Sequence, residues 1–129
     1  MAQIKIYGER NHLRQIRDRL SDAIHTAAMT VLGLPANKRF HRFIGLESDD
    51  FIHPPDRSSA YTIIEVSLFE GRDSATKRAF LEGLMARVAD EVGLAPVDLE
   101  ITLFETPRAD WGIRGEVGDR LILTYDVER

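Results

Sequence analysis

Few side chains in this sequence have the type and spacing that catalysis or metal binding requires. Cysteine is absent, which excludes disulfides, thiolate zinc sites and cysteine nucleophiles. The four histidines are His12, His25, His41 and His53. No two of them have the His-x-x-x-His spacing of a helical metal site, and we expect His25 to be a hydrogen-bonded residue at the edge of the apolar helix face. Dinucleotide-binding, P-loop and Gly-x-Ser-x-Gly motifs are also missing, so the sequence predicts no metal and no cofactor.

Two charged residues in turns and one aromatic residue remain as candidates. Arg72 lies just before a predicted helix, where a solvated side chain is the commoner role and anion binding the rarer one. Lys38 follows the end of another predicted helix, where the helix dipole by itself favours a cation. Trp111 is the only tryptophan. It lies in a glycine-rich segment, and we expect it to pack under a loop or against a neighbouring subunit, with the wall of a pocket as the second choice.

Length and composition indicate a single soluble globular domain. The chain has 129 residues, of which 43% are hydrophobic and 29% charged, and its formal net charge is −4. This charge provides no basic surface for nucleic acid or an anionic membrane. No apolar run approaches the roughly 20 residues of a membrane span, and the first residues lack the apolar core of a signal peptide. We therefore expect a cytoplasmic protein that binds neither nucleic acid nor membranes.

Hydrophobic periodicity predicts two helices and several strands. The predicted strands are residues 3–7, 39–44, 60–69 and 99–103, with a small terminal strand at 121–125. Apolar residues at intervals of three and four, from Leu13 to Val31, predict a helix that Asn11 caps and Gly33 ends. A second helix begins at Asp73 or Ser74 and ends at Gly93. Its apolar stripe is Phe80, Leu81, Leu84, Met85, Val88 and Val92.

The segment 60–69 has the strongest strand pattern. It is apolar on both faces, which predicts a central strand that is covered on each side. The two helices cover one face of the sheet and no third helix is predicted, so we expect a second copy of the chain to cover the other face. Residues 45–59 form a long loop of the kind that often lines a site.

The two halves of the chain repeat. The segment Gly33-Leu34-Pro35 matches Gly93-Leu94-Ala95-Pro96 at an offset of 93 − 33 = 60 residues. Each half is predicted to contain a strand, a helix, a turn and a second strand. The two units span residues 1–59 and 60–129 approximately. We predict an α+β domain in which two β-α-β units form one four-stranded mixed sheet with both helices on one face.

This arrangement resembles the tautomerase superfamily and, within it, the malonate semialdehyde decarboxylase-like group. The segments that carry the resemblance are Gly-Leu-Pro-Ala-Asn-Lys-Arg-Phe at 33–40, Gly-Arg-Asp-Ser-Ala-Thr-Lys at 71–77, Leu-Phe-Glu at 103–105 and Ala-Asp-Trp-Gly at 109–112. The resemblance implies a homotrimer. It also implies that each active site lies near the start of the first strand and receives walls from the neighbouring subunits.

The family's site residues match this sequence only in part. Family enzymes use an N-terminal proline, exposed by removal of the initiator methionine, as acid or base; here Ala2 takes that position. An aspartate of the group is replaced by Lys38, and the first of two arginines that hold the substrate carboxylate is Glu70, so Arg72 alone is kept. The resemblance thus makes Ala2 and Arg72 the candidate catalytic residues and Lys38, Glu70 and Trp111 the candidate substrate-binding residues.

Two of these departures reverse a charge, an acid becoming Lys38 and a base becoming Glu70. Either change alone would leave a like-charge contact or an unpaired charge in a partly buried pocket. We therefore predict that Lys38 and Glu70 approach each other, within one subunit or across an interface.

Two functions follow from the resemblance and its departures. In the first, the chain is an enzyme that tautomerises, hydrates or decarboxylates a small keto or semialdehyde acid, with Arg72 on the carboxylate and the proline chemistry weakened or lost. In the second, it is a superfamily member without catalysis that binds a small molecule or a protein. The residue after Met1 discriminates between them and favours the second.

Overall fold

A computed structural model describes residues 2–128, and in it a β-α-β unit occurs twice. The first unit is β1 (Ala2–Glu9), α1 (Arg10–Ala27) and β2 (His41–Leu46). The second unit is β3 (Thr62–Phe69), α2 (Ser74–Arg87) and β4 (Leu99–Thr106). A hairpin of β5 (Gly112–Ile113) and β6 (Glu116–Val117) follows, and then an irregular C-terminal segment. The predicted α+β class with repeated units is confirmed.

The four long strands form one mixed sheet in the order β2-β1-β3-β4. β1 is parallel to β2 and antiparallel to β3, while β3 is parallel to β4. The register places Ala2 opposite Leu68 and Ile4 opposite Val66. β3 therefore lies in the interior of the sheet, as its sequence predicts.

Both helices pack on one face of this sheet. There, the apolar residues at every second position of the strands contact the apolar stripes of the helices. The strands contribute Ile4, Ile6, Ile64, Val66 and Leu68 to the core. The helices contribute Leu13, Ile16, Leu20, Ile24, Phe80, Leu84 and Val88. Met85, which the sequence placed in the apolar stripe of α2, is instead 46% exposed. The sequence thus identifies most of the core correctly.

The helix ends follow the local sequence, with one exception. Each helix continues into a π-helical turn that stops at a glycine in the left-handed region, Gly33 with φ 71° and Gly93 with φ 81°. The carboxylate of Asp73 accepts a hydrogen bond from the Thr76 backbone N–H over 2.8 Å and caps α2. The exception is the predicted Asn11 cap, which is wrong because β1 runs directly into α1 and Glu9 occupies the cap position without a side-chain hydrogen bond.

The predicted strands differ from the observed ones most clearly at β2 and at the C-terminus. β2 begins at His41 rather than Arg39, because its pairing with β1 starts where Ile4 meets His41, and it extends to Leu46 within the predicted loop. The terminal strand at 121–125 is absent from the described residues. That segment is held by side chains, not by a strand partner.

The guanidinium of Arg108 fixes the C-terminal segment. It donates to the carbonyl oxygens of Gly118, over 3.1 Å, and Leu121, over 2.6 Å. Beyond them, Val127 packs against Phe69 at the end of β3. The glycine-rich segment forms β5 and β6 instead of the terminal strand, with a tight turn at Arg114 and Gly115, where φ is 50° and 83°.

The second face of β3 is mixed in character, so the prediction of two apolar faces is wrong. Ile63, Glu65 and Ser67 point to the side of the sheet without helices, and all three are only half-buried. Phe104 on β4 lies on the same side and is 46% exposed. Within one chain, this face remains open to a partner.

Across residues 2–128, no helix is long and apolar enough to cross a membrane.

Candidate functional site

The segments that carry the predicted site residues meet at one end of the sheet. β1 begins there and β3 ends there, since Ala2 pairs with Leu68. The chain enters β2 at the same end, where the Phe40 carbonyl accepts a hydrogen bond from the Ile4 N–H over 2.9 Å. β4 also ends there, where the Thr106 carbonyl accepts from the Glu70 N–H over 2.9 Å. Topology therefore gathers residues that are far apart in sequence.

An open cleft of about 470 Å³ lies at this end. Its lining residues are Gln3, Phe40, Trp111, Gly112, Ile113 and Arg114. A neighbouring cleft of about 410 Å³ shares two of these residues and adds cationic ones: it is lined by Gln3, Arg39, Phe40, His41 and Arg42. Together they form a surface with aromatic walls and arginines at the edge, a combination suited to a small organic anion.

Trp111 is held in place on one wall of the cleft. Its indole Nε1 donates a hydrogen bond to the Thr106 hydroxyl over 2.5 Å, and its ring lies edge-on to the Phe69 ring with 5.1 Å between centroids. The sequence predicts packing as its first role and a pocket wall as its second, and the geometry provides both. A tryptophan fixed in this way offers a rigid apolar surface to a ligand.

Ala2 does not present its side chain to the cleft. The side chain is 5% exposed and belongs to the core beneath the helices, while the next residue, Gln3, points to the cleft. Any chemistry at this position therefore belongs to the backbone nitrogen and not to the side chain. The ordinary pKa of a free α-amino group is about 7.7–8.0.

Arg72 is buried, in contrast to a solvated turn arginine, and is 4% exposed. Its Nη1 donates to the Phe69 carbonyl over 3.2 Å, and it is not among the residues that line the cleft. Burial raises the pKa of the Tyr125 hydroxyl, and the positive charges of Arg72, Arg108 and Arg114 oppose that increase. The three guanidinium groups thus lie near the Tyr125 side chain, which packs against the cluster that contains Phe69.

Lys38 and Glu70 lie at the same end of the sheet but make no ion pair with each other in the described part of one chain. Lys38 is half-buried in a turn closed by its own N–H and the Pro35 carbonyl over 3.0 Å. Glu70 is exposed. Their predicted approach within one subunit is therefore not observed as an ion pair, and an approach across an interface stays a prediction.

Of the six lining residues, the sequence predicts Trp111 alone as a site residue, and the five that it misses are Gln3, Phe40, Gly112, Ile113 and Arg114. Phe40 has the pattern of a strand residue but lies just before β2 and exposes 44% of its surface. The available signal for Arg114 is its position between Ile113 and Gly115, typical of a hairpin turn. Within residues 2–128, no group of three or more histidine, aspartate or glutamate side chains is arranged to hold a metal ion.

Comparison with known proteins identifies the family. A family model described as tautomerase enzyme matches residues 38–114, more than half of the chain, so the chain belongs to the tautomerase family. This confirms the resemblance seen in the sequence.

Solved structures with the same fold include two malonate semialdehyde decarboxylases. One, solved in wild-type, mutant and inactivated forms, is 24% identical with a TM-score of 0.79 and aligns over 92% of this chain and 99% of that one. FG41 malonate semialdehyde decarboxylase inhibited by 3-bromopropiolate is 26% identical with a TM-score of 0.71, over 85% and 87% of the two chains. Native fused 4-OT is 20% identical with a TM-score of 0.79, over 92% and 98%.

Proposed function

We propose that this chain binds a small keto or semialdehyde carboxylic acid in the cleft at the start of β1 and that its turnover by proline-type chemistry is weak or absent. The observation that carries the proposal is the position of the cleft. It lies beside residue 2, has Trp111 as a wall and Arg114 at its edge, and the residue that would supply a secondary amine is Ala2.

Arg114 is the residue best placed to meet the carboxylate. Arginine offers forked N–H donors that match the two oxygens of a carboxylate. Arg114 lines the cleft directly, whereas Arg72 is 4% exposed and is not among the lining residues. Arg72 then acts by holding the end of β3 through the Phe69 carbonyl and by adding positive potential to the site. This division of roles differs from the one that the resemblance implies.

The titration that tests binding uses Trp111 itself, because it is the only tryptophan and lines the cleft. We expect pyruvate and phenylpyruvate to change its fluorescence saturably and methyl pyruvate, which lacks the negative charge, to bind at least about tenfold more weakly. Equal binding of the neutral ester would show that no cation in the cleft recognises the acid.

The turnover assay uses phenylenolpyruvate and 2-hydroxymuconate, with the N-terminus defined by intact-mass analysis. We expect kcat/KM below about 10⁴ M⁻¹s⁻¹, the low end of ordinary enzymes. A higher value would contradict the proposed loss of proline-type chemistry while leaving the binding site intact. If neither a saturable fluorescence change nor turnover is observed, the second function, a binding module for a protein, is the better account.

We propose a homotrimer as the working assembly. The open sheet face, with Ile63 and Phe104 on it, supports a covering partner, and fused 4-OT has been solved as a trimer. An obligate interface of this kind buries more than about 2,000 Å² in total. We expect sedimentation at three times the chain mass of 14.6 kDa, and a monodisperse monomer at micromolar concentration would refute the trimer.

A further inference from the structure

A second cleft lies at the opposite end of β1, between the first turns of α1 and the edge strand β2. It has a volume of about 270 Å³. Its lining residues are Arg10, Leu13, Arg14, Arg17, Phe43 and Gly45. Neither the proposed function nor the resemblance uses any of these residues.

The cleft concentrates three arginines, and only Arg10 has an acidic partner among the described residues. Arg10, Arg14 and Arg17 are spaced by four and three residues and therefore share one face of α1. Arg10 pairs with Glu47 over 3.3 Å at an exposed position, but no ion pair within residues 2–128 involves Arg14 or Arg17. Like charges at this spacing repel, in a chain whose net charge is −4. A bound anion would remove that repulsion.

The cleft also has apolar lining residues, and a glycine shapes it. Phe43 is half-buried, whereas Leu13 is only 3% exposed. A Cβ at Gly45 would come within 3.0 Å of the Arg10 Cα, so the glycine lets the start of α1 lie close to β2. Arg14 and Arg17, which have no acidic partner within residues 2–128, therefore line the same cleft as the half-buried Phe43 ring.

We propose that this cleft binds a small phosphate monoester with an apolar or aromatic substituent. Arg14 and Arg17 hold the phosphate, and the substituent lies against the Phe43 ring. A phosphate dianion matches two guanidinium groups in charge and accepts from both forks, whereas a single carboxylate neutralises only one. The site is separate from the candidate active-site cleft, because it lies at the other end of β1.

The test uses phenyl phosphate and NMR of the ¹⁵N-labelled protein, with the Gly45 amide as the reporter. We expect phenyl phosphate to shift this amide saturably. Benzoate, with the same ring and one charge, should bind at least about tenfold more weakly, and inorganic phosphate, without a ring, should also bind more weakly than phenyl phosphate.

Matched variants locate the binding. Arg14→Gln combined with Arg17→Gln should weaken phenyl phosphate binding at least about tenfold. Arg19→Gln removes the same charge from an exposed position on α1 outside the cleft and should change binding less than about twofold. Circular dichroism establishes that each variant is folded.

Three outcomes would overturn the proposal. The first is the lack of a saturable shift at Gly45. The second is equal weakening by Arg19→Gln, which would indicate general attraction to a positive helix. The third is a shift produced by a polyglutamate peptide and not by phenyl phosphate, which would assign this surface to an acidic protein partner.

Discussion

The indole nitrogen of Trp111 donates a hydrogen bond to the hydroxyl of Thr106, over 2.5 Å, and so ties the segment after β4 to the last residue of that strand. This contact fixes one wall of the candidate active-site cleft. The Phe69 ring supports the same wall from β3. The position of the wall is therefore set by two strands of the sheet and not by the loop alone.

We predict that Thr106→Val lowers the free energy of unfolding by about 1 kcal/mol, because the half-buried indole N–H loses its partner. Trp111→Phe should also destabilise the protein, through loss of packing. In a double-mutant cycle measured by urea denaturation, the two changes should couple by about 0.5–1.5 kcal/mol. A coupling energy of zero would show that the hydrogen bond contributes nothing to stability.

We predict that Arg114→Asn weakens carboxylate binding at least about tenfold without reducing stability. Arg114 has φ 50°, a left-handed conformation that asparagine adopts more readily than arginine. The binding measurement is the Trp111 fluorescence titration, and the stability measurement is the urea midpoint.

The matched control for this variant is Arg78→Gln, which removes a positive charge from the exposed face of α2. It should leave pyruvate binding unchanged. If both variants weaken binding equally, the effect is one of net charge, and Arg114 has no specific role in the cleft.

The imidazole of His41 predicts a pH dependence of stability. Its Nδ1 lies 2.7 Å from the Ser21 hydroxyl oxygen. Burial lowers its pKa to about 4, with help from the positive charge of Arg39 and from the neighbouring His25 imidazole and against the carboxylate of Asp22. The folded state therefore holds this ring neutral, whereas the unfolded chain protonates it near its ordinary pKa of about 6.5.

The sign follows from proton counting. Between pH 6.5 and pH 4 the unfolded state binds more protons at His41, so stability decreases as the pH falls through this range. The full shift corresponds to about 3 kcal/mol, and because the ring is partly exposed we expect about half of it. The urea midpoint should therefore be lower at pH 5 than at pH 7.5. His41→Gln should reduce that difference. Burial also lowers the pKa of His12, which accounts for part of the remaining pH dependence.

Gly71 and Gly112 differ in backbone conformation and in how closely the C-terminal segment approaches them. Gly71 has φ 135°, and a Cβ there would lie 2.9 Å from the Val127 carbonyl oxygen, whereas nothing lies within 4 Å of a Cβ at Gly112. We predict that Gly71→Ala destabilises the protein by about 1–3 kcal/mol and loosens residues near Val127, measured by amide exchange. Gly112→Ala should change stability by less than about 0.5 kcal/mol. Equal effects would show that neither the backbone conformation of Gly71 nor its contact with Val127 contributes to stability.

Ala2→Pro is the variant that tests whether only the base is missing. Proline is tolerated at the first residue of a strand, and here it would supply the secondary amine once Met1 is removed. We expect turnover of phenylenolpyruvate to rise by about 10² or more, the usual contribution of general acid–base catalysis. The control is the same variant with an N-terminal tag retained, in which the proline nitrogen is an amide and should be inactive. No gain in the untagged variant would show that the cleft lacks more than its base.

The sequence alone predicts the elements that depend on local patterns. Period-2 alternation in β1 and β4, the apolar stripe of α1 and the stop signals at Gly33 and Gly93 all depend on residues close together in the chain. The repeat at an offset of 60 residues predicts the duplicated unit. The family resemblance depends on short sequence segments that occur in the same order as in the family.

Only the tertiary structure decides which residues meet at the site. Ala2 reads as a candidate for chemistry, but the alternation of β1 turns its side chain into the core and turns Gln3 to the cleft. Arg72 has the pattern of a solvated residue and is buried. Arg114 carries no signal of function until the hairpin places it at the edge of the cleft. The physical reason is that side-chain direction and burial depend on strand register and on segments far away in sequence, and local patterns do not contain that information.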